Sequence, residues 1–240
     1  MSSPEPDPSG NTNQLDWGAE LFQAGLEFAD NPEPRCPCVL LLDTSKSMSG
    51  EPITALNDGL RVFREELLKD TLARQRVEVA IVTFGGSVQV VQNFVTVDSF
   101  NPPLLEPRGQ TPMGTGVLQA LDLIDARKIQ YKANGIVYYR PWLFLITDGA
   151  PKGEPLEVTK QAVARVKDEE ANKKVAFFAV GVEGANMKLL SKLSSRPPLK
   201  LRGLKFVDMF VWLSKSAERV AHSREGDQVA LPPVDWGTIV

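Results

Sequence analysis

Three short segments hold the side chains best suited to chemistry: Asp43-Thr44-Ser45-Lys46-Ser47, Gln110-Thr111-Pro112-Met113-Gly114 and Thr147-Asp148-Gly149. Together they offer two carboxylates, Asp43 and Asp148, and three hydroxyls, Ser45, Ser47 and Thr111. Hard oxygen donors of this kind select Mg²⁺, Mn²⁺ or Ca²⁺ over zinc or copper. With so few charged ligands the ion keeps waters and an open position, a partial coordination that Mg²⁺ favours. Two nearby carboxylates repel one another, and a cation between them settles the electrostatics. Each segment also has a structural reading. Asp43, Ser45 or Ser47 can cap a helix, Thr111 can be an N-cap with Pro112 at the first helical position, and Thr147-Asp148-Gly149 makes a good turn.

What favours chemistry is where the segments fall. CVLLLD (38–43) and WLFLITDG (142–149) are near-continuous apolar runs that end in the oxygen-bearing residues. Runs of this kind suit central parallel strands covered on both faces. KVAFFAVGV (174–182) is a third. RVEVAIVTF (76–84) alternates apolar and polar residues, turns at Gly85-Gly86, and continues as SVQVVQNFVTV (87–97), an antiparallel partner. Residues 199–201 suit an edge strand. Helical spacing marks 52–68, 115–125, 155–171 and 206–222, with a short helix over 186–193. Strands alternating with helices imply an α/β fold, a doubly wound and mostly parallel central sheet with one antiparallel edge strand and helices on both faces. In such sheets ligands sit outside the carboxyl ends of the strands. There the first and third segments must lie, with Thr111 at the head of a helix.

The flanks are less regular. Residues 1–14 are rich in Pro, Ser, Asn and Asp and read as a disordered tail. Residues 15–34 form an amphipathic arm ended by Asn31-Pro32-Glu33-Pro34, a candidate gate if it packs near the three loops. The main domain spans 35–222. Residues 223–240 are a tail that docks through Trp236 and Ile239 or is disordered.

Bulk properties narrow the function classes. A chain of 240 residues, 42% hydrophobic and 24% charged, suits one large soluble domain. Its net charge of -3 gives no basic surplus for nucleic acid or anionic lipid. The longest apolar run, 175–182, is strand-sized, so no membrane helix is expected. The N-terminus has no signal-peptide pattern, and a cytoplasmic location is expected. Cys36 and Cys38 are too close for good disulfide geometry and read as free packed thiols. With a single histidine, His222, zinc is poorly provided for. His222 suits a helix end.

DTSKS, the Thr of QTPMG, and TDG resemble the DxSxS…T…D metal-ion-dependent adhesion site (MIDAS) of von Willebrand factor A (VWA) domains. The resemblance runs from about residue 36 to 222. LLLDTSKSMSGEPI, GQTPMGTGVLQAL and KFVDMFVWLSKS look most like bacterial TerY-like VWA proteins, which are linked to tellurium resistance and stress. The resemblance implies a VWA/Rossmann-like fold. It implies that Ser45 and Ser47 ligate Mg²⁺ or Mn²⁺ directly, Thr111 directly or through water, and Asp43 and Asp148 mainly through waters. It implies an open position that accepts an Asp or Glu carboxylate from a partner protein, and a domain that is monomeric alone. Lys46 departs from the glycine common in this group; it restricts the loop if positive φ is needed there, and it brings a cation near the metal. Catalysis is not expected. A haloacid-dehalogenase phosphatase would need Asp where Ser45 stands, no GxxxxGK[ST] loop exists, and no Ser-His-Asp set is plausible. A metal-independent VWA scaffold is the alternative, and a metal-dependent phosphohydrolase stands behind it.

Overall fold

A computed structural model describes residues 17–224 and 226–240, with side chains from Ala24 onward. The 1–14 tail, Leu15, and the side chains of Trp17, Leu21 and Phe22 lie outside the described residues. Among the described residues seven strands form one sheet in the order β3-β2-β1-β4-β5-β6-β7. Inside it runs β1 (Cys36–Asp43), every residue of which is buried. It is flanked in parallel by β2 (Val77–Gly85) and β4 (Trp142–Thr147). Beyond these lie β3 (Ser87–Thr96), antiparallel to β2, and β5 (Ala176–Gly181) and β6 (Leu199–Leu201), both parallel. The apolar runs thus become the inner strands, because only they can be covered on both faces.

Side chains alternate across the pleat. Leu40 and Leu42 of β1 join a core with α2 (Glu51–Leu67), α3 (Thr71–Arg76) and α7 (Phe206–Ala221). Val39 and Leu41 join a second core with α4 (Met113–Ala133), α5 (Leu156–Ala171) and α6 (Met187–Leu193). This is the doubly wound arrangement expected, with the antiparallel edge at β3.

The C-terminal segment adds something further. Residues 237–239 form β7, antiparallel to β6, so Leu199–Leu201 lies inside the sheet and not at its edge. Trp236 drives this docking. It is fully buried beside Trp212, with ring centroids 5.6 Å apart, whereas Ile239 is exposed.

The arm is a helix, α1 (Trp17–Asp30). Phe28 packs on Tyr131 of α4, and Glu27 accepts from Arg127 Nη2 at 2.6 Å. Arg127 and Tyr131 also meet Glu78 of β2, a fully buried carboxylate that is paired with Arg35 Nε at 2.8 Å. α1 therefore sits over the end of α4 remote from Thr111. The helix between them is about 30 Å long, which removes the basis for α1 as a gate over the loops. Cys36 and Cys38 are free and buried, with burial pushing both thiols up. His222 stands at the end of α7 and pairs with Asp70 Oδ2 at 2.8 Å.

Candidate metal centre

Parallel pairing places the ends of β1 and β4 side by side, with Leu42 opposite Ile146, so Asp43 and Thr147 emerge at the same edge. The loop before α4 is stitched to them by backbone hydrogen bonds. Arg108 N donates to Thr44 O at 2.7 Å, Lys46 N to Gly109 O at 3.2 Å, and Gly86 N to Gln110 O at 2.7 Å. Thr111 and Lys152 exchange two more, at 3.0 and 2.9 Å, tying Thr111 to the loop after β4. The stitching depends on glycine. A Cβ on Gly109, whose φ is +62, would lie 2.2 Å from Gly86 Cα. No L side chain fits that approach or favours that backbone.

All five expected residues meet at this edge. Asp43 is fully buried. Its Oδ1 accepts from Ser45 N at 2.8 Å and its Oδ2 from Thr147 Oγ1 at 2.5 Å. Ser45 Oγ and Ser47 Oγ are 3.0 Å apart, and Ser47 Oγ donates to Asp148 Oδ1 at 2.8 Å. Thr111 lies beside them. A Cβ placed on Gly149 would lie 3.8 Å from Thr111 Oγ1 and 4.0 Å from Asp43 Oδ2, so both oxygens border the same small space.

The charge balance is unfavourable without a cation. Burial pushes the Asp43 carboxyl above its ordinary range. Hydrogen bonds from Ser45 and Thr147 lower it without cancelling that rise, and the charge of Asp148 adds to it. Burial likewise raises Asp148 against the opposing hydrogen bond from Ser47. Among the described residues no three His, Cys, Asp or Glu side chains gather as a conventional metal cluster. What the loops offer a cation is therefore two carboxylates supplemented by hydroxyl oxygens.

The capping readings fare poorly. Ser45 precedes a single 3₁₀ turn (Lys46–Met48), yet its hydroxyl caps nothing. Pro112, not Thr111, is the cap residue of α4, and it makes no side-chain cap. That work is done by Glu154, whose Oε1 accepts from Gly114 N at 2.7 Å and Oε2 from Thr115 N at 2.9 Å. The Thr111 hydroxyl is thereby left to the loop cluster. The turn reading of Thr147-Asp148-Gly149 does hold, since Gly149 N donates to Thr147 Oγ1 at 3.1 Å. The same hydroxyl orients Asp43, so turn and site coexist. Lys46 is exposed and is not a positive-φ residue, so glycine's conformational freedom is not needed there.

A family model described as the von Willebrand factor type A domain matches residues 38–210. The chain belongs to this family.

No curated protein sequence matches significantly. Solved structures share the VWA fold at low identity. Proximal thread matrix protein 1 from the mussel byssus aligns with a TM-score of 0.54 and 15% identity over 78% of this chain and 49% of its own. Another structure of that protein has a zinc-occupied MIDAS motif (TM-score 0.53, 16% identity, 78% and 49% covered). The pilus adhesin SpaC from Lactobacillus rhamnosus GG in its open conformation gives 0.57 and 13% over 80% of this chain and 31% of its own. The vWF domain of the type V pili tip protein Mfa5 from Porphyromonas gingivalis gives 0.52 and 10% over 81% and 99%. The chain thus spans about half the length of the mussel protein. VWA domains are in general protein-interaction modules, often metal-dependent. Among the described residues no helix is long and apolar enough to cross a membrane.

Two contributors escaped sequence reasoning. Thr147 was visible only as part of a turn, although its place at the end of an apolar strand, level with Asp43, is a usable signal. Glu154 gave none: it acts on a helix that begins 40 residues earlier.

Proposed function

We propose that this VWA domain binds one divalent cation, Mg²⁺ or Mn²⁺ with Ca²⁺ also accommodated, through Asp43, Ser45, Ser47, Thr111 and Asp148, and uses it to capture an Asp or Glu carboxylate of a partner protein. The observation that carries this reading is the hydroxyl chain Ser45–Ser47–Asp148, closed across two loops at 3.0 and 2.8 Å. Hydroxyls leave a bound cation electron-poor, so an incoming carboxylate gains strongly. Asp43, held by Ser45 N and Thr147, is positioned to orient waters and not to move. Thr111, released from capping by Glu154, supplies the fifth oxygen. The zinc-occupied MIDAS of the mussel protein supports a cation at this edge of the fold. The role is recognition, not turnover. The likeness of the metal-loop sequence to TerY-like proteins supports a cytoplasmic bacterial stress or tellurium-resistance assembly as its setting.

Thermal melts of EDTA-stripped protein test the reading. Mg²⁺ or Mn²⁺ should raise the Tm of the wild type by mass action, with about 2.7 kcal/mol gained at a hundredfold excess over Kd. It should leave Asp43→Ala unmoved. A wild-type curve indifferent to every ion at millimolar concentration favours the metal-independent scaffold instead.

A further inference from the structure

At the opposite end of the sheet, where β4 and β5 begin, a cleft of about 1300 Å³ opens between the strands and the segment after α7. It is larger than a typical small-ligand pocket of about 300–1000 Å³. Two guanidiniums from distant parts of the chain enter it, Arg140 just before β4 and Arg196 between α6 and β6. Trp142, half-buried, provides aromatic surface, while Phe178 is stacked on Phe144 and has Arg196 over its ring at 5.2 Å.

The charges here do not balance. Among the described residues Glu170 is the one carboxylate that meets both arginines, and its oxygens are already engaged. Oε1 accepts from Arg196 Nη1 at 2.6 Å. Oε2 accepts from Ser194 Oγ, Ser195 N and Ser195 Oγ at 2.9, 2.7 and 2.9 Å. Among the described residues Arg140 reaches only the backbone oxygen of Glu170, at 3.2 Å, and its buried Nε has no partner. One carboxylate facing two guanidiniums leaves an uncompensated positive charge. Burial first, and then the charge of Arg196, hold Arg140 below the usual guanidinium range. The lining carboxylates do not correct this. Asp125 and Glu169 are held by Lys128, and Asp227 accepts from Arg224 N. A half-buried guanidinium whose buried Nε lacks an acceptor favours an added one, and its planar fork matches a phosphate.

We propose that this cleft binds a small organic phosphate, its oxyanion held by Arg140 and Arg196 and its planar body lying against Trp142. The surplus charge favours a phosphate over a single carboxylate, and the aromatic surface favours a ligand with a flat body. This site does not depend on the metal loops.

Calorimetric titration of the full chain in EDTA, with ATP, pyrophosphate, citrate and adenosine as probes, tests the proposal. ATP should bind with an affinity that falls as salt rises. Pyrophosphate should bind more weakly, and citrate and adenosine more weakly still. Arg140→Met should weaken ATP at least about tenfold while circular dichroism and the Mg²⁺ response stay as in the wild type. If that variant fails to fold, Arg140→Lys, which keeps the charge but loses the fork, should show an intermediate loss. No heat with ATP at millimolar concentration, ATP binding unaffected by both Arg140 variants, or citrate binding as well as ATP would each overturn the assignment. Pyrophosphate equal to ATP would overturn the role of the aromatic surface.

Discussion

Ser47 Oγ donates a 2.8 Å hydrogen bond to Asp148 Oδ1 across 101 positions of sequence. Ser47 is exposed and lies in a 3₁₀ turn, so this bond holds up no core. Its consequence is to join the loops after β1 and β4 at the cluster of oxygens. Ser47→Ala should therefore change the stability of the metal-free protein by less than about 0.5 kcal/mol. It should weaken Mg²⁺ or Mn²⁺ at least about tenfold. Chemical denaturation and metal titration of the same sample separate the two effects.

Both carboxyls of the cluster titrate above their ordinary value of 3.8. Between that value and the raised one the folded protein binds more protons than the unfolded chain. Stability of the metal-free protein therefore falls as pH rises through this window. A cation reverses the preference by favouring the ionised form. The Tm gained on adding Mg²⁺ should grow as pH rises through the window and shrink as it falls. Paired melts with EDTA and with Mg²⁺ from about pH 4 to pH 8 check this; a pH-independent difference would count against carboxylates at the metal.

Glu154 connects the end of one loop to the start of α4. Glu154→Ala strips the helix of the acceptor for Gly114 N and Thr115 N, at an expected cost of about 1–2 kcal/mol. Because Thr111 lies two residues before this helix start and is paired to Lys152, metal affinity should fall with it. Glu154→Gln, which keeps an acceptor, should be milder on both counts. Denaturant midpoints and metal titrations of the two variants read these effects.

Glu78 is buried between Arg35 and Arg127. Glu78→Ala leaves two buried cations without their shared partner and should cost about 3–5 kcal/mol. The damage should fall on α1 and the far end of α4, with metal affinity in the surviving folded fraction preserved. Hydrogen exchange at 24–35 and 127–138 should rise before exchange at the metal loops.

Where the sequence was legible, a strong local signal decided the structure. The inner strands announced themselves as apolar runs because burial on both faces tolerates no polar alternation, and the five cluster residues were visible because they terminate those strands or open a helix. Contacts between distant segments were not legible. α4 runs to Ala133, past the expected end near Asp125, because Arg127 and Tyr131 turn inward to Glu78, an arrangement that reads as a polar surface in the sequence alone. α3 is only six residues long, capped by Asp70 through Leu72 N and Ala73 N, too short for a periodic pattern. β7 has three residues and exists because Trp236 finds a pocket beside Trp212. Glu154 and the Arg140–Arg196 pair depend likewise on loops that only the fold brings together.

The central claim is that hydroxyls of the first loop and the Asp43 carboxylate hold one cation per chain. Electron paramagnetic resonance of Mn²⁺ titrated into the metal-free protein measures this directly, since bound Mn²⁺ loses the signal of the free aquo ion. The account predicts one bound ion per wild-type chain, displaced by Mg²⁺, and none for Asp43→Asn, a variant that keeps an acceptor for Ser45 N and turns its amide NH2 toward the Thr147 hydroxyl. Binding of equal stoichiometry and affinity in Asp43→Asn, or no binding by the wild type, would contradict it.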